Sequence, residues 1–391
     1  MAKGFGDGSV YQTKDGRWRG KVRLTDPVTK KKQPVKYFYG KSETEVKRQI
    51  RAYKSNALNY TGPITAKANA YEYFRKWLDE YKKNEIKVSS YDRLDAVLRL
   101  YLKDRFEVMQ LGEITPDMCN GIINELKDRG LSHSTAKKVY DAMNACFKFA
   151  VVRREIPYNP LDSVSMPRKD KFVTKRKDNE NARHLTEDEE AAFLAELDRK
   201  TGSTGRYVYR YRDAFILDLN TGLRIGELVA LNWDDIDFEK KTLRVNKTAV
   251  MIKERDKDGE PSGGVKQIIQ ESPKTSKGVR TVPLNKSALA ALERLKEQAG
   301  GNTCVFPTQT GARLVMPSLE KQYSNIARHC GIEGTSFHSL RHTFATRLFE
   351  RKADVKDVSA LLGHASVAIT YNTYIHVIEE RKSDVVSLLE Q

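Results

Sequence analysis

Apolar and polar residues alternate near the start of the chain, as in a small half-buried β-sheet. Val10 and Tyr11 precede Asp15-Gly16, a dipeptide typical of a tight hairpin turn. In the segment after this turn, one face of the predicted strand carries Trp18, Gly20, Val22 and Leu24, and the other carries Arg17, Arg19, Lys21 and Arg23. Because side chains alternate between the two faces of a strand, this pattern predicts one packed face and one basic face. A third strand is predicted around residues 35–39, and a capping box at residues 42–45 begins a helix to about Ser55.

The apolar spacing changes to a helical period after Gly62-Pro63. Two apolar stripes follow, one formed by Tyr71, Phe74, Trp77, Leu78 and Tyr81, and the next by Leu94, Val97, Leu98, Tyr101 and Leu102. Thr115-Pro116 and Ser132 are N-cap signals for two further helices. The pattern predicts a helical module that ends at residues 157–160.

A polar, basic segment then leads to a last domain, which begins with a capping box at residues 186–189. Helices are predicted to about residue 232, strands over 242–252, 267–272 and 279–284, and helices again from about 286. The charged, glycine-containing segment 253–266 is expected to be a mobile loop.

We therefore predict a multidomain, mainly α protein with small antiparallel β-sheets. Residues 1–62 form a three-stranded sheet plus helix, residues 63–165 a helical domain, residues 166–185 a linker, and residues 186–391 an α+β domain.

The net charge of the chain indicates what kind of molecule it binds. The 391 residues carry 69 Lys and Arg against 52 Asp and Glu, a formal net charge of +17. Residues 1–62 alone hold 15 basic and 5 acidic side chains. Such an excess points to a polyanion, and a cationic strand face on a three-stranded sheet suits insertion into a DNA groove. An ordinary solvated basic face is the alternative interpretation.

Other features exclude membrane and disulfide-rich classes. No stretch approaches the ~18 uninterrupted apolar residues of a membrane span, and the first residues lack the apolar run of a secretory signal. The four cysteines are far apart and show no CxxC pattern. We expect a reducing, cytoplasmic environment.

Three partial motifs do not predict sites. The sequence Gly259–Lys266 resembles a phosphate-binding loop, but Val265 separates the last glycine from the lysine. His338 and His342 have the spacing of a zinc pair on a helix but have no third ligand nearby in sequence. Asp234, Asp235 and Asp237 follow an Asn-Trp pair and are interpreted as turn-capping residues rather than a magnesium site. We expect no metal and no cofactor.

The last domain contains a set of basic residues and histidines that is followed, near the end of the chain, by a tyrosine. Arg224 is predicted at a helix start with Glu227 one turn later to orient it, and Lys274 lies in a turn between two strands. His338 and Arg341 share a helix face. His364 ends a Leu-Leu-Gly-His segment, and Tyr371 and Tyr374 follow it. Each element alone is a weak signal, whereas their joint occurrence in this order is a strong one.

In this set the chain resembles the tyrosine recombinase family, and closest in layout are integrases of Gram-positive temperate phages and conjugative transposons. The resemblance implies that residues 1–62 bind arm-type DNA sites, that residues 63–165 bind core-type sites, and that the last domain is catalytic. It identifies as catalytic residues Arg224, Lys274, His338, Arg341, His364 and Tyr374. Tyr374, ten residues after His364, matches the nucleophile in preference to Tyr371.

The chemistry that the resemblance implies is a DNA integrase reaction through a covalent 3′-phosphotyrosine. Fixed guanidinium charge stabilises the phosphodiester during attack. The implied partners are double-stranded DNA attachment sites, a homotetramer on DNA, an excisionase and a host DNA-bending protein. The C-terminal tail, residues 375–391, is expected to dock on a neighbouring protomer or on its own chain, and the sequence leaves both open.

Two alternative functions fit parts of this pattern. A type IB topoisomerase-like enzyme shares the active-site chemistry but has no use for an arm-binding domain. A non-catalytic DNA-binding regulator does not require the complete set of catalytic residue types.

Overall fold

The computed structural model describes residues 9–13, 16–23, 35–58, 67–172, 183–256, 259–271 and 278–380, without the side chains of 52, 54–58 and 375–380. The chain divides into two compact units, Met1–Lys175 and Arg176–Gln391. This division lies inside the segment 166–185 that we interpret as a linker. Within the described ranges, no helix is both long and apolar enough to cross a membrane.

The first unit begins with an antiparallel sheet covered on one face by a helix. Its strands, in sheet order, are β1 (Ser9–Gln12), β2 (Trp18–Val22) and β3 (Lys36–Gly40), and the helix is α1 (Glu43–Leu58). Val22, Val46 and Ile50 are buried between sheet and helix. At Gly20 a Cβ atom would lie 2.5 Å from Val46 Cγ1, so only glycine lets the helix approach this closely. The alternation in β2 thus places its cations on the face opposite the helix, as predicted.

The rest of the first unit is helical. Its helices are α2 (Ala70–Lys76), α3 (Val88–Val97), α4 (Lys103–Phe106), α5 (Pro116–Asp128) and α6 (His133–Val152), with π-helical continuations of α2 and α3 over Trp77–Lys82 and Leu98–Leu102. The side chains of Thr115 and Ser132 accept hydrogen bonds from the backbone of the helices that they begin, as predicted. Phe74 lies at the centre of the core, with the rings of Phe106 and Phe147 5.2 and 5.3 Å away.

This core continues into the predicted linker. Phe172 is buried, and its ring packs edge-on against His133 at 5.1 Å. Met166 also packs on the core. Residues 166–172 are therefore part of the packed unit, because their apolar side chains fill a site on α6 that the polar composition of the segment conceals.

The second unit surrounds two small sheets with helices. The helices are α7 (Glu187–Leu197), α8 (Arg212–Thr221), α9 (Ile225–Ala230), α10 (Lys286–Glu297), α11 (Met316–His329), α12 (His338–Glu350), α13 (Val355–Leu362) and α14 (Val367–Glu380). A three-stranded sheet has the antiparallel order β4 (Ile236–Asp237), β5 (Thr242–Val245) and β8 (Arg280–Pro283), and a separate ribbon pairs β6 (Thr248–Arg255) with β7 (Pro261–Gln270). The mainly α class with small antiparallel sheets is confirmed.

The prediction of a mobile loop over residues 253–266 is wrong. Most of these residues lie in the β6–β7 ribbon, whose turn is closed by hydrogen bonds from Asp256 N to Glu260 O (2.9 Å) and from Gly259 N to Asp256 O (3.1 Å). Charged side chains are compatible with a two-stranded ribbon because much of its surface faces water. The glycines that indicated a loop instead allow positive φ at Gly259 and Gly263.

We expect Phe74→Ala to destabilise the first unit by about 3–5 kcal/mol, because the ring is fully buried among other aromatic side chains. Hydrogen exchange followed by mass spectrometry on the full chain should show faster exchange in peptides from residues 70–150 and unchanged exchange in peptides from 183–350. Val108→Ala is the control, since Val108 is 80% exposed. Equal loss of protection in both units would contradict the division of the chain.

Candidate active site

The loop between α8 and α9 places Arg224 at a helix start. Gly222 ends α8 with a left-handed backbone (φ 61°), and a Cβ atom there would overlap the ring of Phe344. This turn reverses the chain so that Arg224 becomes the N-cap residue of α9. The glycine of the Gly-Leu-Arg sequence is thus a requirement of the turn.

Glu227 is the carboxylate to which two guanidinium groups bind. Arg224 Nη1 lies 2.8 Å from Glu227 Oε1, and the Arg224 backbone N–H donates to Oε2 at 3.0 Å. Arg280 binds the same carboxylate in a bidentate manner, at 2.8 and 3.2 Å. Burial alone would raise the pKa of Glu227, but the hydrogen bonds and charges of Arg280 and Arg224 lower it to about 2. The predicted supporting position of Glu227 beside Arg224 agrees with this geometry.

Three guanidinium groups also converge on the end of α13. Arg280 Nε donates to Leu361 O (2.6 Å), Arg341 Nη2 donates to Leu362 O (2.7 Å), and Arg224 Nη2 lies 3.4 Å from Gly363 O. The last carbonyl groups of a helix have no partner within the helix and carry partial negative charge, so they are suitable acceptors for cations. This helix end therefore fixes the positions of all three arginines.

Arg341 and Arg224 differ in exposure. Arg341 is 2% exposed, and its Nη1 donates to Gly222 O at 2.8 Å, whereas the Arg224 side chain is 42% exposed. Burial and the charge of Arg224 lower the pKa of Arg341 to about 9, so it stays protonated at neutral pH. Arg224 faces the solvent, and Arg341 supplies charge from beneath the surface.

His338 and His364 lie near these arginines. Loss of hydration, followed by the charges of Arg341 and Arg224, lowers the pKa of each histidine to about 4. His338 is exposed, while Nδ1 of His364 is 2.7 Å from Thr370 Oγ1. Both imidazoles are therefore neutral at pH 7.

Tyr374 is buried and held by a histidine. It is 3% exposed, and its hydroxyl lies 2.8 Å from Nδ1 of His342. Burial raises the pKa of Tyr374 to about 12, although the charge of Arg341 opposes this. The backbone of α14 departs from helical geometry at this residue (φ −114°, ψ 18°). Tyr371, by contrast, is 39% exposed.

Five of the six residues assigned to catalysis lie in the described part of the second unit and are brought close together: Arg224, His338, Arg341, His364 and Tyr374. Lys274 lies outside the described residues, and the cations Arg17, Arg19, Lys21 and Arg23 belong to the first unit. Asp235 and Asp237 accept hydrogen bonds from the backbone of Asn232 and Lys240, which agrees with their interpretation as capping residues. Over the described ranges, no three His, Cys, Asp or Glu side chains are grouped as metal ligands.

Sequence reasoning missed Arg280 and His342. The alternation of buried and exposed residues in β8 could have indicated the role of Arg280, because Arg280 shares the buried face of this strand with Val282. An arginine at an apolar position of a strand indicates a buried ionic partner. His342 was considered only as half of a zinc pair with His338, and its position one turn further along the same helix is the signal that it reaches the same site.

We expect Glu227→Gln to destabilise the second unit at neutral pH, because the buried Arg280 loses its counter-charge. A pKa of about 2 against an ordinary 4.5 corresponds to about 3 kcal/mol of stabilisation. Since the folded-state pKa is the lower one, this stabilisation is complete above pH 4.5 and is lost as the pH falls toward 2. Urea unfolding between pH 7 and pH 2.5 should show the wild-type advantage shrinking with acidity. Glu297→Gln, at an exposed position, is the control; a Glu227→Gln effect that is constant with pH would contradict the ionic role.

The chain is similar to known proteins over most of its length. A phage integrase family model matches residues 183–381, and a phage integrase SAM-like domain model matches residues 69–171. A tyrosine recombinase XerC-like protein of Caldanaerobacter subterraneus subsp. tengcongensis is 30% identical over 371 residues, covering 90% of this chain and 91% of the relative. The integrase of Staphylococcus phage L54a is 25% identical over 326 residues, covering 81% of this chain and 91% of the relative.

Solved structures show the same fold. The Tn1549 transposon integrase in complex with transposon right end DNA has a TM-score of 0.63 at 22% identity, covering 81% of this chain and all of that chain. A lambda integrase tetramer bound to a Holliday junction has a TM-score of 0.55 at 18% identity, covering 93% of this chain and 94% of that chain. The matched segments include all the residues assigned to catalysis. The chain belongs to the phage integrase family of tyrosine recombinases, enzymes that cleave and rejoin DNA at specific sites.

Proposed function

We propose that this protein is the integrase of a mobile genetic element, which it inserts and excises by cutting and rejoining attachment sites. The observation that supports the proposal is a cationic site that is partly open to solvent: two fixed arginines and two histidines lie near a buried tyrosine whose hydroxyl is hydrogen-bonded to His342. A phosphodiester is anionic and repels nucleophiles, so a tyrosine can attack it only where fixed positive charge compensates the developing negative charge.

The reaction begins with binding of the scissile phosphate over the arginines. Arg224 has the exposed guanidinium and binds the non-bridging oxygens directly, while Arg341 adds charge from below. His338 and His364 donate hydrogen bonds to the same oxygens. A preorganised donor of this kind contributes about 3–4 kcal/mol to stabilisation of the transition state.

Attack then transfers the phosphoryl group to the protein. The Tyr374 oxygen bonds to phosphorus, the bond to the 5′ oxygen breaks, and Lys274, assigned from the sequence, protonates the leaving oxygen. The product is a 3′-phosphotyrosine and a free 5′-hydroxyl. Because the ester is conserved, a 5′-hydroxyl of the second duplex reverses the step and rejoins the DNA without a nucleotide cofactor.

The basic face of the N-terminal sheet is proposed to bind arm-type DNA sites. Arg19 and Lys21 lie on the face away from α1, and the Arg19 guanidinium stacks on the ring of Tyr37 at 4.1 Å and near that of Tyr39 at 5.5 Å. The two rings are exposed and hold the cation in place. A rigid row of donors between flat aromatic rings can read base edges as well as bind phosphates.

The assembly that we propose is a homotetramer on two DNA duplexes, acting in the bacterial cytoplasm on the nucleoid. A tetramer on a Holliday junction is the state of the lambda integrase structure. An excisionase and a host DNA-bending protein complete the proposed set of partners and set the direction of the reaction. Of the tail, residues 375–391, the side chains of 375–380 and all of 381–391 lie outside the described part of the chain.

Tyr374→Phe is expected to bind core-site DNA and to form no covalent adduct, because one oxygen is lost with almost no change in volume. Tyr371→Phe is the matched control, three residues away on the same helix, and should retain the adduct. The assay traps the enzyme on nicked attachment-site DNA in excess EDTA, followed by peptide mapping of the DNA-linked residue. DNA linked to Tyr371 would refute the assignment, and loss of wild-type cleavage in EDTA would refute the metal-free mechanism.

Arg19→Ala is expected to weaken binding to arm-type DNA about tenfold and to reduce the slope of log K against log salt by about 1, because one phosphate contact is lost. Fluorescence anisotropy over a salt series measures both quantities. Lys47→Ala, on the exposed side of α1, is the matched control. Core-site cleavage should be unchanged in both variants; an Arg19→Ala protein with wild-type arm affinity would contradict the proposed interface.

A further inference from the structure

In the proposed reaction Tyr374 must lose its hydroxyl proton when it attacks the phosphate, and the group that accepts this proton has still to be identified. Among the described residues, the only hydrogen-bond partner of the Tyr374 hydroxyl is Nδ1 of His342, at 2.8 Å. A buried hydroxyl needs an acceptor for its proton, so Tyr374 donates and the unprotonated Nδ1 accepts. This arrangement leaves the imidazole hydrogen on Nε2.

The pair is shielded from water. His342 is 8% exposed and Tyr374 3% exposed, and the tyrosine packs in an apolar cluster with Ala345, Phe349, Val358 and Leu362. On its other side the His342 ring packs edge-on against the ring of His338, with 4.7 Å between centroids. Because His338 is exposed, the two histidines lie in a row from the buried hydroxyl to the solvent.

We propose that His342 is the general base of the cleavage step. This inference rests on the proposed function, and it identifies the group that takes the proton lost by Tyr374. As the Tyr374 oxygen forms its bond to phosphorus, the hydroxyl proton passes to His342 Nδ1 and the bond between phosphorus and the 5′ oxygen breaks. In rejoining, the imidazolium returns the proton to the departing Tyr374 oxygen.

The electrostatic surroundings suit a base that acts only with DNA in place. Burial, followed by the charges of His338, Arg341, His184 and His364, lowers the pKa of His342 to about 3. With the pKa of Tyr374 raised to about 12, the pair stays neutral in the free protein. The negative charge of a bound phosphodiester favours the imidazolium, and the phenol becomes far more acidic as its oxygen bonds to phosphorus. Proton transfer is thereby coupled to attack.

The test is chemical rescue of His342→Ala, assayed as covalent adduct formation on nicked attachment-site DNA. A general base contributes about 10²–10⁴-fold, so we expect a loss of at least 10²-fold with DNA binding retained. Added imidazole should restore part of the rate, and more basic methylimidazoles should restore more. A purely structural role would not give a rate that increases with the basicity of the added base. A wild-type rate in the variant, or a slow rate that no imidazole increases, would overturn the proposal.

The His342→Asn variant tests whether His342 accepts the proton of Tyr374 or only holds Tyr374 in position. Its side-chain oxygen can accept the Tyr374 hydrogen bond near the position of Nδ1 but has no useful basicity. We expect cleavage at least 10²-fold slower than wild type at pH 7 and rising about tenfold per pH unit, because hydroxide then removes the proton. An Asn variant with wild-type rate and pH profile would show that the hydrogen bond only positions Tyr374 and would overturn the base. The wild-type protein is assayed in parallel to distinguish failure of the general-base proposal from failure of the proposed function. If the wild-type protein forms no covalent adduct, the recombinase reaction itself is refuted.

Discussion

The end of α13 is the feature on which the catalytic unit depends. Three successive carbonyl groups at this helix terminus face three guanidinium groups that come from α12, from β8 and from the start of α9. Positive charges repel one another, so three of them can be held together only where each has acceptors of its own. The helix terminus supplies these acceptors without supplying a full negative charge, and the guanidinium groups therefore remain attractive to an anion.

The balance of charge in the site favours the binding of an anion, as the proposed reaction requires. Arg224 and Arg280 bind one ionised carboxylate, that of Glu227, whereas Arg341 donates to two backbone carbonyl oxygens. Asp218 is completely buried nearby with both carboxyl oxygens unpaired, and burial raises its pKa well above the ordinary value. Because burial disfavours the charged form of Asp218, this residue is a poor second counter-charge for the arginines. His338 and His364 do not add to the positive charge at neutral pH, because loss of hydration and then the charges of Arg341 and Arg224 lower the pKa of each one to about 4. A DNA phosphate is the anion that this site lacks.

The sequence predicts those parts of the structure that depend on local chemistry. The N-cap positions of Thr115, Ser132 and Thr186 follow from short-range hydrogen bonds, and each has the predicted contact. The grouping of Arg224, His338, Arg341, His364 and Tyr374 came from a resemblance to a family, because nothing in the spacing of residues 150 positions apart reveals that they meet. The resemblance did not identify Arg280 and His342. Their roles depend on which face of a strand or helix is buried, which only the packed structure determines.

The same distinction applies to the ribbon formed by β6 and β7. The predicted strands over 242–252 and 267–272 include part of β6 and part of β7, whereas the glycines and charges of residues 253–266 have the composition of a loop. This part of the ribbon has so little buried surface that no apolar period marks it. The buried position of Tyr374 is a further property that composition does not predict, since a tyrosine near a cationic site is expected to face its substrate. In the packed structure its hydroxyl is withdrawn among apolar side chains and bound to an imidazole, while Arg224 remains at the surface. In the proposed reaction Arg224 is thus the group that an incoming phosphate meets first, while the Tyr374 hydroxyl is bound to the imidazole that is proposed to accept its proton.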